Sequence, residues 1–270
     1  MPSHVERISG PGDPRLAEYR NVTDPELIRV RGLFVAEGRL VVRRLIEDGR
    51  YRIQSLFLSD AARHSLEPLL ATLAATTPVY LGDAGDFTSI TGYNVHRGCL
   101  ALAFRSAEPP VDDLLASIAT AVVLEGITDA DNVGGVFRNA AAFGADAVLL
   151  SPTCCDPLYR KAIRTSMAAT LRVPFSRIDD WPAALTRIRA RGITLVALTP
   201  REPAEDLDAF AGRLRPAKLA LIVGTEGAGL TPEIEATADY RVRIPVRADV
   251  DSLNLAVATG IALYTINGRR

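Results

Sequence analysis

The sequence predicts a two-part α/β protein whose second part is a parallel sheet flanked by helices. Three observations carry this. Apolar runs of strand length, TAVVLEG, DAVLL, ITLVAL and LALIVG, recur after residue 118 with helical patterns between them. Strands buried on both faces look like this, and strand–helix alternation implies parallel pairing. The segment SAEPPVDD, 106–113, sets two prolines among small and acidic residues and reads as an extended seam. The length of 270 residues suits two modest domains at roughly 100–200 residues each. The expected division is an N-terminal extension over 1–30, a small α/β domain over 31–107 and a larger domain over 108–270.

In the first part, Leu40, Val41, Leu45 and Ile46 repeat at helical spacing up to Gly49. RIQSLFLS reads as a strand, AARHSLEPLLATLAA as a helix broken by Pro68, and PVYL and CLALAF as further strands. In the second part, DNVGGVFRNAAAFG is a helix with Val133, Val136, Phe137 and Ala140 on one face and Gly144 as its stop. SLNLAVATGIALY is another, with Leu253, Ala256, Val257, Gly260, Ile261 and Tyr264 on one stripe.

Composition excludes several classes. With 48% hydrophobic and 23% charged residues the chain is not of the disordered type. A net charge of −1 gives no global basic field. The cations are nonetheless almost all arginine, lysine occurring only at Lys161 and Lys218, and arginine supplies a planar fork suited to phosphate. Cys99, Cys154 and Cys155 are too few for a disulfide framework, and the adjacent pair lacks zinc-site spacing. The first residues lack the apolar core of a signal peptide, and no apolar run approaches the ~18 residues of a membrane span. A soluble cytoplasmic protein is expected. Neither G-x-G-x-x-G after a strand nor a P-loop occurs. The three histidines, His4, His64 and His96, lie in the first part, so no metal site is expected in the second.

Three segments of the second part concentrate polar residues at strand ends. LEGITDADNVGGVFRNA, 124–140, places Asn132 and Arg138 six apart across a loop-to-helix junction, where Asp131 or Asn132 can also serve as a helix cap. LIVGTEGAGLTPEI, 221–234, sets Gly224, Gly227 and Gly229 around a lone Glu226, a loop that backbone groups can bring close to a ligand. RIPVRADVDSLNLAVATG, 243–260, leads from a strand to Ser252 and Asn254 at a helix start, with Ser252 a candidate cap. All five polar residues fall at the carboxyl edge of one parallel sheet, where ligands bind in open α/β folds. With no His, Cys or metal cluster, such a site would act by positioning and electrostatics.

These motifs, N-x-G-x-x-x-R, G-x-E-G-x-G-L and I-P followed by S-L-N, resemble in order those of the SpoU/TrmH family of the SPOUT superfamily, over about residues 119–270. FVAEG at 34–38 and HRGCLALA at 96–103 resemble the ends of that family's substrate-binding domain, although Arg97 stands where relatives often carry Gln. The resemblance implies an S-adenosylmethionine-dependent RNA ribose 2′-O-methyltransferase. It implies a SPOUT domain with a C-terminal trefoil knot, preceded by a small ribosomal-protein-like (L30e-like) α/β domain, and a homodimer. By match, Asn132, Arg138, Glu226, Ser252 and Asn254 take the catalytic positions. The cofactor positions are Leu198, Thr199, Gly224, Thr225, Glu226, Gly229, Ile244, Pro245, Ser252 and Leu253. Arginine stays protonated in proteins, so Arg138 suits a phosphate clamp better than a base. Arg31, Arg43, Arg97, Arg160, Lys161 and Arg164 are candidate RNA contacts. Ribosomal RNA is the expected substrate. The alternatives are transfer RNA, methylation of a base, or a non-catalytic RNA-binding or ribosome-assembly protein with this fold.

Overall fold

A computed structural model describes residues 5–20, 23–91, 98–214, 216–247, 249 and 252–268. The chain divides into two compact units. The first takes residues 1–107 and also 158–171; the second takes 108–157 and 172–270.

The first unit holds β1 (Val5–Arg7), α1 (Asp24–Arg31), β2 (Leu33–Glu37), α2 (Arg39–Asp48), β3 (Ile53–Leu58), α3 (Asp60–Leu70), β4 (Val79–Leu81), α4 (Ala84–Thr91) and β5 (Cys99–Phe104). The sheet order is β1-β4-β3-β5-β2, with β5 antiparallel to both neighbours. Helix α2 ends as the sequence indicates, at Gly49 in the left-handed conformation. Pro68 does not break α3. It sits in the last turn, and the helix runs on to Leu70.

Residues expected to form a separate extension are built into this unit. β1 pairs in parallel with β4 along the sheet edge, and Leu16, Tyr19 and Leu27 enter the core beside Phe57 and Phe87. The apolar residues are too sparse for periodicity to reveal them. Tyr19 is buried with its hydroxyl satisfied, meeting Ser55 Oγ at 2.8 Å.

A later segment belongs here too, although the pattern assigns it to the second domain. α7 (Arg160–Thr165) packs on β2 and buries Ala162 and Ile163. Arg160 anchors it, donating from its backbone N and from Nε to the Asp24 carboxylate at 2.9 and 2.7 Å. That carboxylate sits in the first turn of α1, where the helix dipole also favours it.

The second unit holds α5 (Val111–Ser117), β6 (Thr120–Leu124), α6 (Ala130–Phe143), β7 (Ala147–Leu150), β8 (Phe175–Arg177), α8 (Ala184–Ala190), β9 (Thr194–Leu198), β10 (Glu205–Asp206), α9 (Leu207–Arg213), β11 (Leu219–Val223), α10 (Pro232–Thr237), β12 (Tyr240–Arg243) and α11 (Leu255–Asn267). Seven strands pair in the order β10-β12-β9-β11-β6-β7-β8, and every pairing is parallel. The central runs β6, β7 and β11 are buried on both faces, as their unbroken apolar sequences require. Strands β8 and β10, of three and two residues, are too short for a periodic signal. Because all pairings are parallel, the loops after β6, β9, β11 and β12 emerge at one edge. The chain passes from β11 across β9 to reach β12, then returns through α11 to pack on α6.

The stripe read on α11 does not coincide with its buried face. Leu255, Thr259, Ala262, Leu263 and Ile266 face inward, whereas Val257, Ile261 and Tyr264 are 51%, 39% and 63% exposed. The helix is apolar on both sides, so its sequence could not show which side the chain itself covers.

Candidate active site

Helix α6 starts one loop after β6. Its cap is neither Asp131 nor Asn132 but Asp129, whose carboxylate accepts from the backbone N of both, at 2.7 and 3.0 Å. That leaves the Asn132 side chain free of capping, and it lies buried in the first turn. Helix α11 is likewise capped not by Ser252 but by Asn254, whose Oδ1 accepts from Ala256 N and Val257 N at 3.0 and 3.2 Å. Its Nδ2 donates to Asn132 Oδ1 at 3.1 Å and to Glu226 Oε1 at 2.8 Å. Asn254 thus uses both donors and both acceptor sites. It ties three segments, distant in sequence, into one linkage. Glu226 Oε1 also accepts from Leu255 N at 3.4 Å. Among the described residues, no hydrogen bond occupies Asn132 Nδ2 or Glu226 Oε2, so these atoms are open to a ligand.

Beside this linkage lies a cleft lined by the loops after β9, β11 and β12 and by the start of α11. Leu198, Thr199, Gly224, Thr225, Glu226, Gly229, Ile244, Ser252 and Leu253 all border it; Pro245, named with them from the sequence, does not. Gly227, singled out with the glycine loop, borders it too, and the sequence reading missed Pro200, Val223, Val246, Leu255 and Ala258. Pro200 and Val223 directly adjoin matched residues, and Ala258 stands one helical turn after Asn254, so adjacency and helical spacing could have found them.

The glycines of the second motif are dictated by this loop. A Cβ at Gly224 would come within 2.4 Å of the Gly229 carbonyl carbon, where the loop closes back on its own start. Gly227 and Gly229 have φ of +85° and +70°. Buried Glu125, which no motif reading singled out, fixes the far end of the loop. Its carboxylate accepts from Thr231 N at 3.0 Å and Thr231 Oγ1 at 2.9 Å.

Arg138 is not brought to the Asn132–Asn254–Glu226 linkage within one chain. It lies six residues further along α6, roughly 9 Å up the axis and on a different face, and it is exposed. Among the described residues it makes no hydrogen bond or ion pair.

Of the expected RNA contacts, Arg160 is engaged within the chain, its Nε lying 2.7 Å from the Asp24 carboxylate. Arg31 is 3.4 Å from Glu26 and Arg164 is 3.9 Å from Glu37. Lys161 lies exposed on α7, and Arg43 is exposed on α2. Arg97 falls outside the described residues. Arg241, Arg243 and Arg247, which flank the third motif, pair with Glu235, with Glu202 and Asp206, and with Asp249.

Burial pushes the Cys99 and Cys155 thiols up to about 12, which keeps both protonated at neutral pH. Among the described residues no three His, Cys, Asp or Glu side chains gather as a metal site. No described helix is long and apolar enough to cross a membrane.

Fold and site together define a parallel α/β protein with a ligand cleft in the loops beyond its strand ends and a polar linkage beside it. The family model of the SpoU rRNA methylase family matches residues 119–264. An uncharacterized tRNA/rRNA methyltransferase of Mycobacterium tuberculosis is 39% identical over 264 residues, covering 96% of this chain and 91% of that protein. The 23S rRNA (guanosine-2′-O-)-methyltransferase RlmB of Vibrio vulnificus is 31% identical over 174 residues, covering 63% and 69%. The crystal structure of an AdoMet-bound rRNA methyltransferase from Sinorhizobium meliloti superposes with a TM-score of 0.81 at 24% identity, covering 98% of both chains. The chain belongs to the SpoU rRNA methylase family, and it is an RNA methyltransferase of that family.

Proposed function

We propose that this protein transfers a methyl group from S-adenosylmethionine to a ribose 2′-hydroxyl of ribosomal RNA. The observation that carries the reading is the Asn132–Asn254–Glu226 linkage at the border of the glycine-loop cleft. The RlmB relative, named for guanosine 2′-O-methylation of 23S rRNA, favours ribose and ribosomal RNA over the alternatives.

The cleft suits the cofactor. Leu198, Val223, Ile244, Leu253 and Leu255 give apolar walls for a nucleoside, and the glycine loop brings backbone groups close to it. When bound there, S-adenosylmethionine supplies an activated methyl sulfonium. The protein's own part is positioning. Asn132 Nδ2 and Glu226 Oε2, both aimed by Asn254, hold the ribose. Arg138 clamps the neighbouring phosphate through its fork and stabilises charge developing on the 2′-oxygen. The released proton leaves by that phosphate.

Arg138 reaches a reaction centre only if a second copy supplies it, and the proposal therefore includes the homodimer. Val257, Ile261 and Tyr264 support this: they form an exposed apolar stripe at i, i+4 and i+7 on α11. The knotted C-terminus and the L30e-like character of the first unit belong to the same proposal. The passage of the chain across β9 and back onto α6 supports the knot.

Incubation of the full chain with labelled S-adenosylmethionine and purified ribosomal RNA tests the reading. The expected product is label at one nucleotide whose 3′ phosphodiester resists alkali, as a 2′-O-methyl group dictates. Label on transfer RNA alone would move the substrate. Label on an alkali-sensitive nucleotide would place the methyl on a base and sink the ribose assignment.

A further inference from the structure

We propose that Arg201 is a positioning residue that latches the two loop walls of the cleft together and so sets cofactor affinity; this rests on the cofactor reading above. Arg201 follows Thr199 and Pro200, which line one wall, yet it does not itself line the cleft. It reaches behind the opposite wall. Its Nη1 donates to Leu230 O at 2.8 Å and its Nη2 donates to Ala228 O. Those carbonyls belong to the glycine loop, in which Gly227 and Gly229 line the cleft. The positive φ of these two glycines fits a loop that presents one side to the cleft and its carbonyls to Arg201.

The latch is anchored. Buried Glu235 accepts from Arg201 Nη1 at 3.2 Å and from the Thr199 hydroxyl at 2.7 Å, and Arg241 lies 3.6 Å from its other oxygen. Thr199 Oγ1 also accepts from Arg201 N at 3.2 Å. One fork therefore joins the loop after β9, the loop after β11 and the first turns of α10. A glycine-rich loop loses much conformational freedom on ordering. Charge-assisted bonds to two of its carbonyls order it before ligand arrives, which is preorganisation. Lysine, with a point charge on a flexible stem, cannot span the same acceptors.

The test measures S-adenosylmethionine affinity by titration calorimetry, and steady-state constants with ribosomal RNA, for the full chain and three variants. Arg201→Ala is expected to weaken cofactor binding tenfold or more and to raise its KM equally. kcat at saturating cofactor and KM for RNA should stay within twofold. Arg201→Lys should recover part of the loss, and hydrogen exchange should show residues 226–231 opened in Arg201→Ala but less so in Arg201→Lys. Cofactor affinity within twofold of wild type in both variants overturns the latch. So does a fall in kcat together with a rise in KM for RNA, since that reports general damage. Ala258→Phe, which fills the cleft, tests the underlying reading: if it leaves affinity intact, the cofactor sits elsewhere, whatever Arg201 does.

Discussion

Asn254 shows how one side chain can both cap a helix and tie distant segments together. Its oxygen caps α11 and its amide orients Asn132 and Glu226. Asn254→Asp separates these roles. The carboxylate still caps, and aspartate is a favoured cap, but the donors to Glu226 and Asn132 are gone and two carboxylates meet. Thermal stability should hold within about 1 kcal/mol, while methyl transfer at neutral pH falls about 100-fold, as for loss of a preorganised donor. Like-charged carboxylates this close raise the pKa at which the pair takes up a proton. A shared proton restores one donor, so turnover should partly recover as the pH is lowered towards 5. Single-turnover rates from pH 5 to 8, beside melting curves, check this. Wild-type rates at pH 7 would reduce Asn254 to a cap alone.

Helices α6 and α11 show packing overruling propensity. A Cβ at Gly135 would lie 2.5 Å from Ala256 Cβ, and Asn139 Nδ2 donates to Ala256 O at 2.5 Å across the same contact. In isolation, Gly135→Ala would strengthen α6 by about 1 kcal/mol. Here it should destabilise the protein by about 1–3 kcal/mol, the usual cost of overpacking. Adding Ala256→Gly removes the colliding methyl and should recover most of that loss, a coupling that a double-mutant cycle in urea would read directly. A stabilised Gly135→Ala single variant would refute the close approach. The same contact sets the start of α11, and hence Asn254, beside Asn132.

Across the whole molecule, a single chain assembles the cleft and the Asn132–Asn254–Glu226 linkage but not Arg138. If a second copy supplies that residue, two inactive variants should complement. Mixing Arg138→Ala with Glu226→Ala under subunit exchange should restore about a quarter of wild-type activity, since half the dimers are mixed and each holds one whole site. No recovery from a mixture proven to contain mixed dimers would place Arg138 in the same chain as its Glu226. Full-length chains are needed for this. Truncation at residue 107 would strip α7 of β2 and leave Ala162 and Ile163 uncovered.

The sequence by itself determined the local and the periodic. Unbroken apolar runs fixed the central parallel strands, Gly49 and Gly144 fixed two helix ends, and the family resemblance carried by three short motifs pointed to most of the residues that border the cleft. These signals are legible because burial on both faces, a left-handed stop and a close backbone approach each restrict residue type at one position. Tertiary structure alone decided the rest. It chose Asp129 and Asn254 as caps over equally suitable neighbours, placed α7 with the first unit, and turned Arg201 towards the glycine loop while Glu235 holds Arg201. Apart from the Asp129 cap, each of those outcomes involves a partner tens of residues away, whose approach no local pattern encodes. The two apolar sides of α11 make the same point: composition made both fit for burial, and only the packed chain showed which one it leaves exposed.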